Sequence, residues 1–181
     1  MSKNSFNNRI IRASMLDSSL YEEVEADKGV MGQAMGIVIL ASIAAGVGLY
    51  KTGGFSGIIT GTVASLISWY IWAYLTYFIG TKFLPEPQTQ ADLGELLRTI
   101  GFSSSPGLLR VFYFVPGIGV LVYLVSSFWM LVAMIIAVRQ ALDYNSTLRA
   151  VGVCVIGYVI QIFVLVLIFS IFGGAIPDAP A

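Results

Sequence analysis

Arg110 is the only charged residue in the apolar stretch GFSSSPGLLRVFYFVPGIG (101–119). Its guanidinium could hold an anion or a lipid headgroup, because its planar donors match phosphate and carboxylate oxygens. At membrane depth such a group is costly unless it snorkels or lines a polar cavity. Gln161 lies near the centre of the last apolar run, and Ser126 and Ser127 lie in the run before it. A transporter places such groups at a midplane site between broken helices, and Pro106 and the Pro116-Gly117 turn supply the breaks. No apolar run carries a carboxylate and the chain has no histidine, so a proton relay has no members. Interhelical hydrogen bonding is the expected role of Gln161.

Other chemistry is sparse. The missing histidines remove the commonest metal ligand and general base. A single cysteine, Cys154, excludes an internal disulfide and a cysteine zinc site, and is expected to be a small packing residue. Glu22, Glu23, Glu25 and Asp27 form an acidic cluster, read as a solvated face and not as a cation site. Asn145-Ser146-Thr147 matches a glycosylation sequon but is read as a helix start capped by Asn145 or Ser146. No nucleophile–base pair, metal set or phosphate loop is found, so no catalytic, metal or cofactor residue is expected. The formal net charge of zero gives no case for nucleic acid.

Two further patterns concern packing. Gly53, Gly57, Gly61 and Ser65 recur every four residues. Such a small-residue stripe admits a close helix. The expected neighbour is the preceding apolar run, whose Gly32 and Gly36 share the spacing; a dimer interface is the alternative. Trp69, Tyr70, Trp72, Tyr74, Tyr77 and Phe78 follow, with Trp69 and Trp72 near one face. They read as an interfacial aromatic belt, or as a docking face for a partner helix or for flat apolar cofactors held by a neighbouring subunit.

These residues are carried by long apolar elements. Of the residues, 57% are apolar and 11% charged, against about a quarter charged in soluble domains. Runs at 29–50, 55–82, 119–141 and 147–173 reach the roughly 20 residues a span needs. Residues 1–28 precede them as a cytoplasmic or interfacial segment with mixed charge, where one or two short amphipathic helices at the membrane surface are expected over Arg9 to Ala26 and no cleavable signal is expected, and 174–181 form a tail. Residues 92–101 read as an amphipathic interfacial helix: Leu93, Leu96, Leu97 and Ile100 share a face, Asp92 and Glu95 have capping-box spacing, and Gly101 suits the end.

The segment 101–117 decides the topology. If it crosses, Lys3, Arg9, Arg12, Lys28, Lys82, Arg98, Arg139 and Arg149 lie inside and Lys51 outside. If it dips and returns, Arg139 and Arg149 move outside. Lysine and arginine prefer the cytoplasmic side, so the expectation is five transmembrane helices, the third one short, with the N-terminus cytoplasmic and the C-terminus outside. The fold class is thus an all-α integral membrane protein.

The strings LLRTIGFSSSPGLL, VPGIG, FWMLVAMIIAVRQAL and STLRAVGVCVIGYVI, in this order over residues 16–172, resemble the Yip-domain (Ypt-interacting protein) family. The N-terminal LYEEVEADKGVMGQAM is similar to its prokaryotic members. The DLYGP-like motif of members that engage Rab-type GTPases has no counterpart here, so that binding is not implied. The resemblance implies five spans, a cytoplasmic N-terminus, a prokaryotic inner membrane and no chemistry of its own. It points to a scaffold or adaptor, in a specific version an accessory subunit bound to other membrane subunits, or a homo-oligomer, within the lipid bilayer. The alternative from the residues alone is a small transporter or lipid-handling protein using Arg110 and Gln161.

Overall fold

The computed structural model describes residues 5–48 and 50–172, all of them helix or connecting turn. The short helices α1 (Phe6–Ser14) and α2 (Ser18–Ala26) come first. A 3-10 turn, Lys28–Val30, leads into α3 (Met31–Gly48). Helix α4 (Tyr50–Phe78) bends at Gly54, whose φ of 58° is one that glycine adopts freely, and ends in a π-turn, Ile79–Phe83. Next come α5 (Leu93–Ser103), a second 3-10 helix (Ser105–Phe114), α6 (Gly119–Ala141) and α7 (Thr147–Phe172). Among the described residues three helical stretches are long and apolar enough to cross a membrane: Lys28–Gly48, Gly54–Phe83 and Gly119–Ala141; the Thr147–Phe163 part of α7 is apolar too. The expected tail, 174–181, lies outside the described residues.

The long helices turn large apolar side chains outward, among them Ile59, Val63 and Ile67 on α4 and Leu121, Leu124 and Phe128 on α6. Water would penalise such a surface, whereas lipid tails match it. The packed core sits instead at one end of the bundle. Leu20, Tyr21, Val24, Ile37, Leu96, Phe102, Val138 and Leu142 are buried there.

That end is closed by a polar cap. Arg9 is buried and donates to Glu23 (2.9 Å), Asp27 (3.1 Å) and Gln33 (3.2 Å). Arg12 donates to Asp17 (2.8 Å) and to the other Glu23 oxygen (2.6 Å). Glu22 accepts from Gln140 of α6 at 2.7 Å. Glu23 and Asp27 of the acidic cluster are therefore an ion-paired joint, while Glu22 stays on the exposed face expected of the cluster. Two arginines placed ahead of the acids in sequence fold back onto them. Asp17 and Glu23 are held below their usual carboxylate range by the bonds they accept, against the opposing effect of burial at Glu23.

Helix α5 departs from the surface helix expected at 92–101. Its capping box forms, Asp92 accepting from the Glu95 amide at 2.9 Å and Glu95 from the Asp92 amide at 2.8 Å. Yet Leu96 through Ser103 are all buried, among α2, α3, α4 and α6. Even Arg98 is inside, donating to the carbonyls of Val24 (2.9 Å) and Glu25. The leucine spacing reveals one apolar face. The polar face is buried through backbone acceptors that periodicity cannot show.

The stretch 101–117 is not one α-helix. It comprises the last turn of α5, the 3-10 helix begun by Pro106, and a turn in which Gly117 takes φ 85°. Its contacts climb α3 in order. Gly101 sits against Ala34, Gly107 beside Ala41, and the Arg110 carbonyl and Tyr113 against Gly48. That is a climb of about 21 Å at 1.5 Å per α3 residue. A 3-10 helix rises about 2.0 Å per residue, so few residues cover the distance. Helix α6 then runs back: Gly119 meets Tyr113, Met130 meets Gly107, and Gln140 reaches the cap. Helix α7 runs opposite to α4, Gly152 lying near Leu84 and Gly157 against Trp72 and Ile79. The connection into α7 is pinned by the Tyr144 hydroxyl, which donates to the carbonyls of Gly80 (3.0 Å) and Leu84 (2.7 Å). Ser146 caps α7 through the Arg149 amide at 3.4 Å.

Candidate intramembrane cleft

Away from the capped end the helices part. Between α3 and α4 on one side and α6 and α7 on the other lies a cavity of about 1270 Å³. It exceeds the roughly 300–1,000 Å³ of ordinary small-molecule pockets. The end of α5 contributes Ile100, Ser103 and Ser104, and the 3-10 helix contributes Arg110. Met130, Leu131, Met134 and Ile135 of α6 and Val155, Tyr158 and Val159 of α7 form apolar walls.

Gly57, Gly61, Ser65, Trp69, Trp72, Arg110 and Gln161 all line this one space. The surroundings of Gly53 lie outside the described residues. The stripe does not pack on α3 as expected. A methyl group placed on Gly57 or Gly61 would meet nothing within 4 Å, and the same holds for Gly32. Close approach between α3 and α4 occurs instead at Gly46, where a Cβ would lie 3.0 Å from Ile58. The glycines of the stripe hollow out a wall.

Trp69 and Trp72 are also not a belt at the lipid boundary. Both are nearly buried, at 9% and 7% exposure, while Tyr70, Tyr74 and Phe78 point outward. Trp69 Nε1 donates to the Leu97 carbonyl at 3.1 Å, fixing α4 to α5. Trp72 packs edge-on to Tyr158 of α7 at 6.0 Å. Its Nε1 is buried and has no acceptor. The two indoles close the cleft toward the capped end.

Arg110 stands at the opposite end, level with the end of α3. Its Nη2 donates to Ser127 Oγ at 2.9 Å, and its guanidinium carbon lies 4.9 Å from the Tyr123 ring centroid. Ser127 in turn donates to the Tyr123 carbonyl at 2.7 Å. The Nε atom is buried without an acceptor. Among the described residues no carboxylate pairs with Arg110; the ion pairs formed belong to Arg9, Arg12 and Arg149. The serine of α6 was visible in the sequence, but its pairing with an arginine 17 positions earlier was not. Neither the tyrosine beneath the guanidinium nor the α5 serines were singled out. The turn from 3-10 helix into α6 that brings them together has no sequence signature beyond Pro116-Gly117.

Among the described residues no group of three or more His, Cys, Asp or Glu is placed to hold a metal ion. The cleft is apolar along its length and carries one guanidinium at its end away from the indoles. A family model described as Yip1 domain matches residues 19–169. No curated protein and no solved structure matches the chain.

Proposed function

The chain belongs to the Yip1-domain family, and from that premise we propose that it is a non-enzymatic membrane scaffold whose contact site is the cleft between α4 and α6–α7. The observation that carries this is the stripe Gly57-Gly61-Ser65, which faces open space in the cleft and leaves room along its whole edge. Glycine in a helix costs about 1 kcal/mol relative to alanine. A row of glycines with nothing against it is a surface kept clear for something else.

The reading extends to topology. The chain passes the bundle five times, the third pass being the end of α5 with the 3-10 helix. The ordered climb along α3 and the return of α6 support it. Helices α1, α2 and α5 form the cytoplasmic cap with the basic residues of the 82–98 and 139–149 regions, and the C-terminus ends on the other side. The rigid cap ties a cytoplasmic surface to the intramembrane cleft, as an adaptor or accessory subunit requires. A prokaryotic inner membrane fits the N-terminal sequence.

The test is photo-crosslinking in native membranes from cysteine-attached probes in a Cys154→Ser background. Probes at Ser65 and Val159 face the cleft, and a probe at Tyr74 faces outward. Capture of one discrete species from the cleft positions alone is expected. Identical, diffuse labelling from all three positions would remove the cleft as a contact site.

A further inference from the structure

We infer that the cleft holds a membrane glycerophospholipid, its phosphate on Arg110 and one acyl chain along Gly57, Gly61 and Ser65. The inference rests on the cleft being a binding surface and names what binds there.

Charge is the first argument. Arg110 lies in the wall of an apolar cleft, bonded to a serine and set over an aromatic face, and no carboxylate among the described residues pairs with it. Bonding to Ser127 leaves most of its donors unmet, and a cation so placed is stabilised by an anion that brings its own oxygens. The Tyr123 ring and Ser127 fix the guanidinium plane, so it meets that anion already oriented. A phosphodiester presents two acceptor oxygens in the geometry a guanidinium recognises.

Dimensions are the second. From Gly57 to Trp69 the stripe is about 18 Å long at 1.5 Å per residue. Half of a hydrocarbon core of about 30 Å is about 15 Å, the depth of one leaflet's tails. The glycines leave a trough without side chains, and Trp69 and Trp72 close it at a length comparable to one leaflet's tails. Arg110, with its carbonyl against Gly48 at the end of α3 and its guanidinium on Ser127 of α6, faces the end of the trough opposite the indoles. The cleft therefore offers, from one end to the other, a site for phosphate, a channel for a tail and a floor.

The test uses the full chain in mild detergent, stripped of native lipid and offered phosphatidylglycerol or a diacylglycerol with the same acyl chains. Bound lipid is read by native mass spectrometry. Retention of the phospholipid about tenfold or more above the diacylglycerol is expected, falling by a similar factor in Arg110→Ala and partly restored in Arg110→Lys. Inorganic phosphate should not displace it. Equal retention of the two lipids by the unmodified chain overturns the inference and needs no variant to fold. Displacement by inorganic phosphate overturns it as well, leaving only a free-anion site. Equal retention leaves the cleft a binding surface, so the proposed function stands while this inference falls. If neither lipid binds and probes at Ser65 capture nothing, both readings fail together.

Discussion

Substituting glycine by alanine at positions 57, 61 and 101 makes the same chemical change in opposite surroundings. At Gly101 the new methyl would lie 2.8 Å from the Ala34 methyl and 3.1 Å from its carbonyl oxygen. Carbon atoms in contact prefer about 3.5–4.0 Å, so α5 must retreat from α3 by roughly 1 Å. Overpacking of this kind costs about 1–3 kcal/mol, offset by up to about 1 kcal/mol of helix propensity. With the full offset the net effect is destabilising by up to roughly 2 kcal/mol. At Gly57 and Gly61 nothing lies within 4 Å of the methyl, so only the propensity gain remains. With about 2–4 °C per kcal/mol for a chain of this size, the Gly101→Ala midpoint should fall several degrees below those of Gly57→Ala and Gly61→Ala. Thermal unfolding in mild detergent, followed by tryptophan fluorescence, reads the difference. The reasoning is refuted if Gly57→Ala and Gly61→Ala lower the midpoint as much as Gly101→Ala. That result would mean the stripe is packed against a helix within the chain.

Other expectations follow from the cap and the indoles. Trp69→Phe loses the bond to the Leu97 carbonyl and should cost about 1 kcal/mol more in thermal stability than Trp72→Phe, which removes a buried donor that has no acceptor. Burial and the nearby Asp143, Glu95 and Glu22 raise the Glu25 carboxyl to about 7. Its folded value lies above its unfolded value of about 4.3, so the stability it gives is present below about pH 4 and lost as pH rises through about 7. Glu25→Gln should therefore flatten the decline in melting temperature between pH 5 and 8. Asp17 and Glu23 have the opposite sign, and their ion pairs should loosen as pH falls below about 4. Arg9→Met should cost about 1–3 kcal/mol in the same melting assay, because Arg9 is buried while Glu23 keeps Arg12 and the Asp27 side chain is partly exposed to water. Single cysteines in a Cys154→Ser background report topology: one at Gln88 should react with impermeant reagent from the cytoplasmic side, and one at Pro116 from the other.

The sequence carried the helices and some of their ends, and it picked out most of the residues of the cleft without bringing them together. Long apolar runs mark α3, α4, α6 and α7 because lipid demands apolar side chains on every exposed turn. The Asp92–Glu95 capping box was legible because both partners lie within one helical turn. The neighbour of the Gly57-Gly61 stripe was misread because small residues permit close approach without saying what approaches. The burial of α5 depended on Arg98 finding carbonyls more than 70 residues earlier in the chain. No local pattern records that. Nor could spacing show that residues 105–114 stretch into a 3-10 helix, a consequence of how far they must reach along α3.

The central claim, that the cleft between α4 and α6–α7 is kept open for a bound membrane component, is tested most directly by filling it. The chain and its Gly57→Leu/Gly61→Leu variant would be extracted gently from native membranes and compared by native mass spectrometry. The account predicts a discrete bound mass on the unmodified chain that the variant lacks, with the same helical content by circular dichroism. A bound mass that survives the substitution unchanged, or none on either protein, would contradict it.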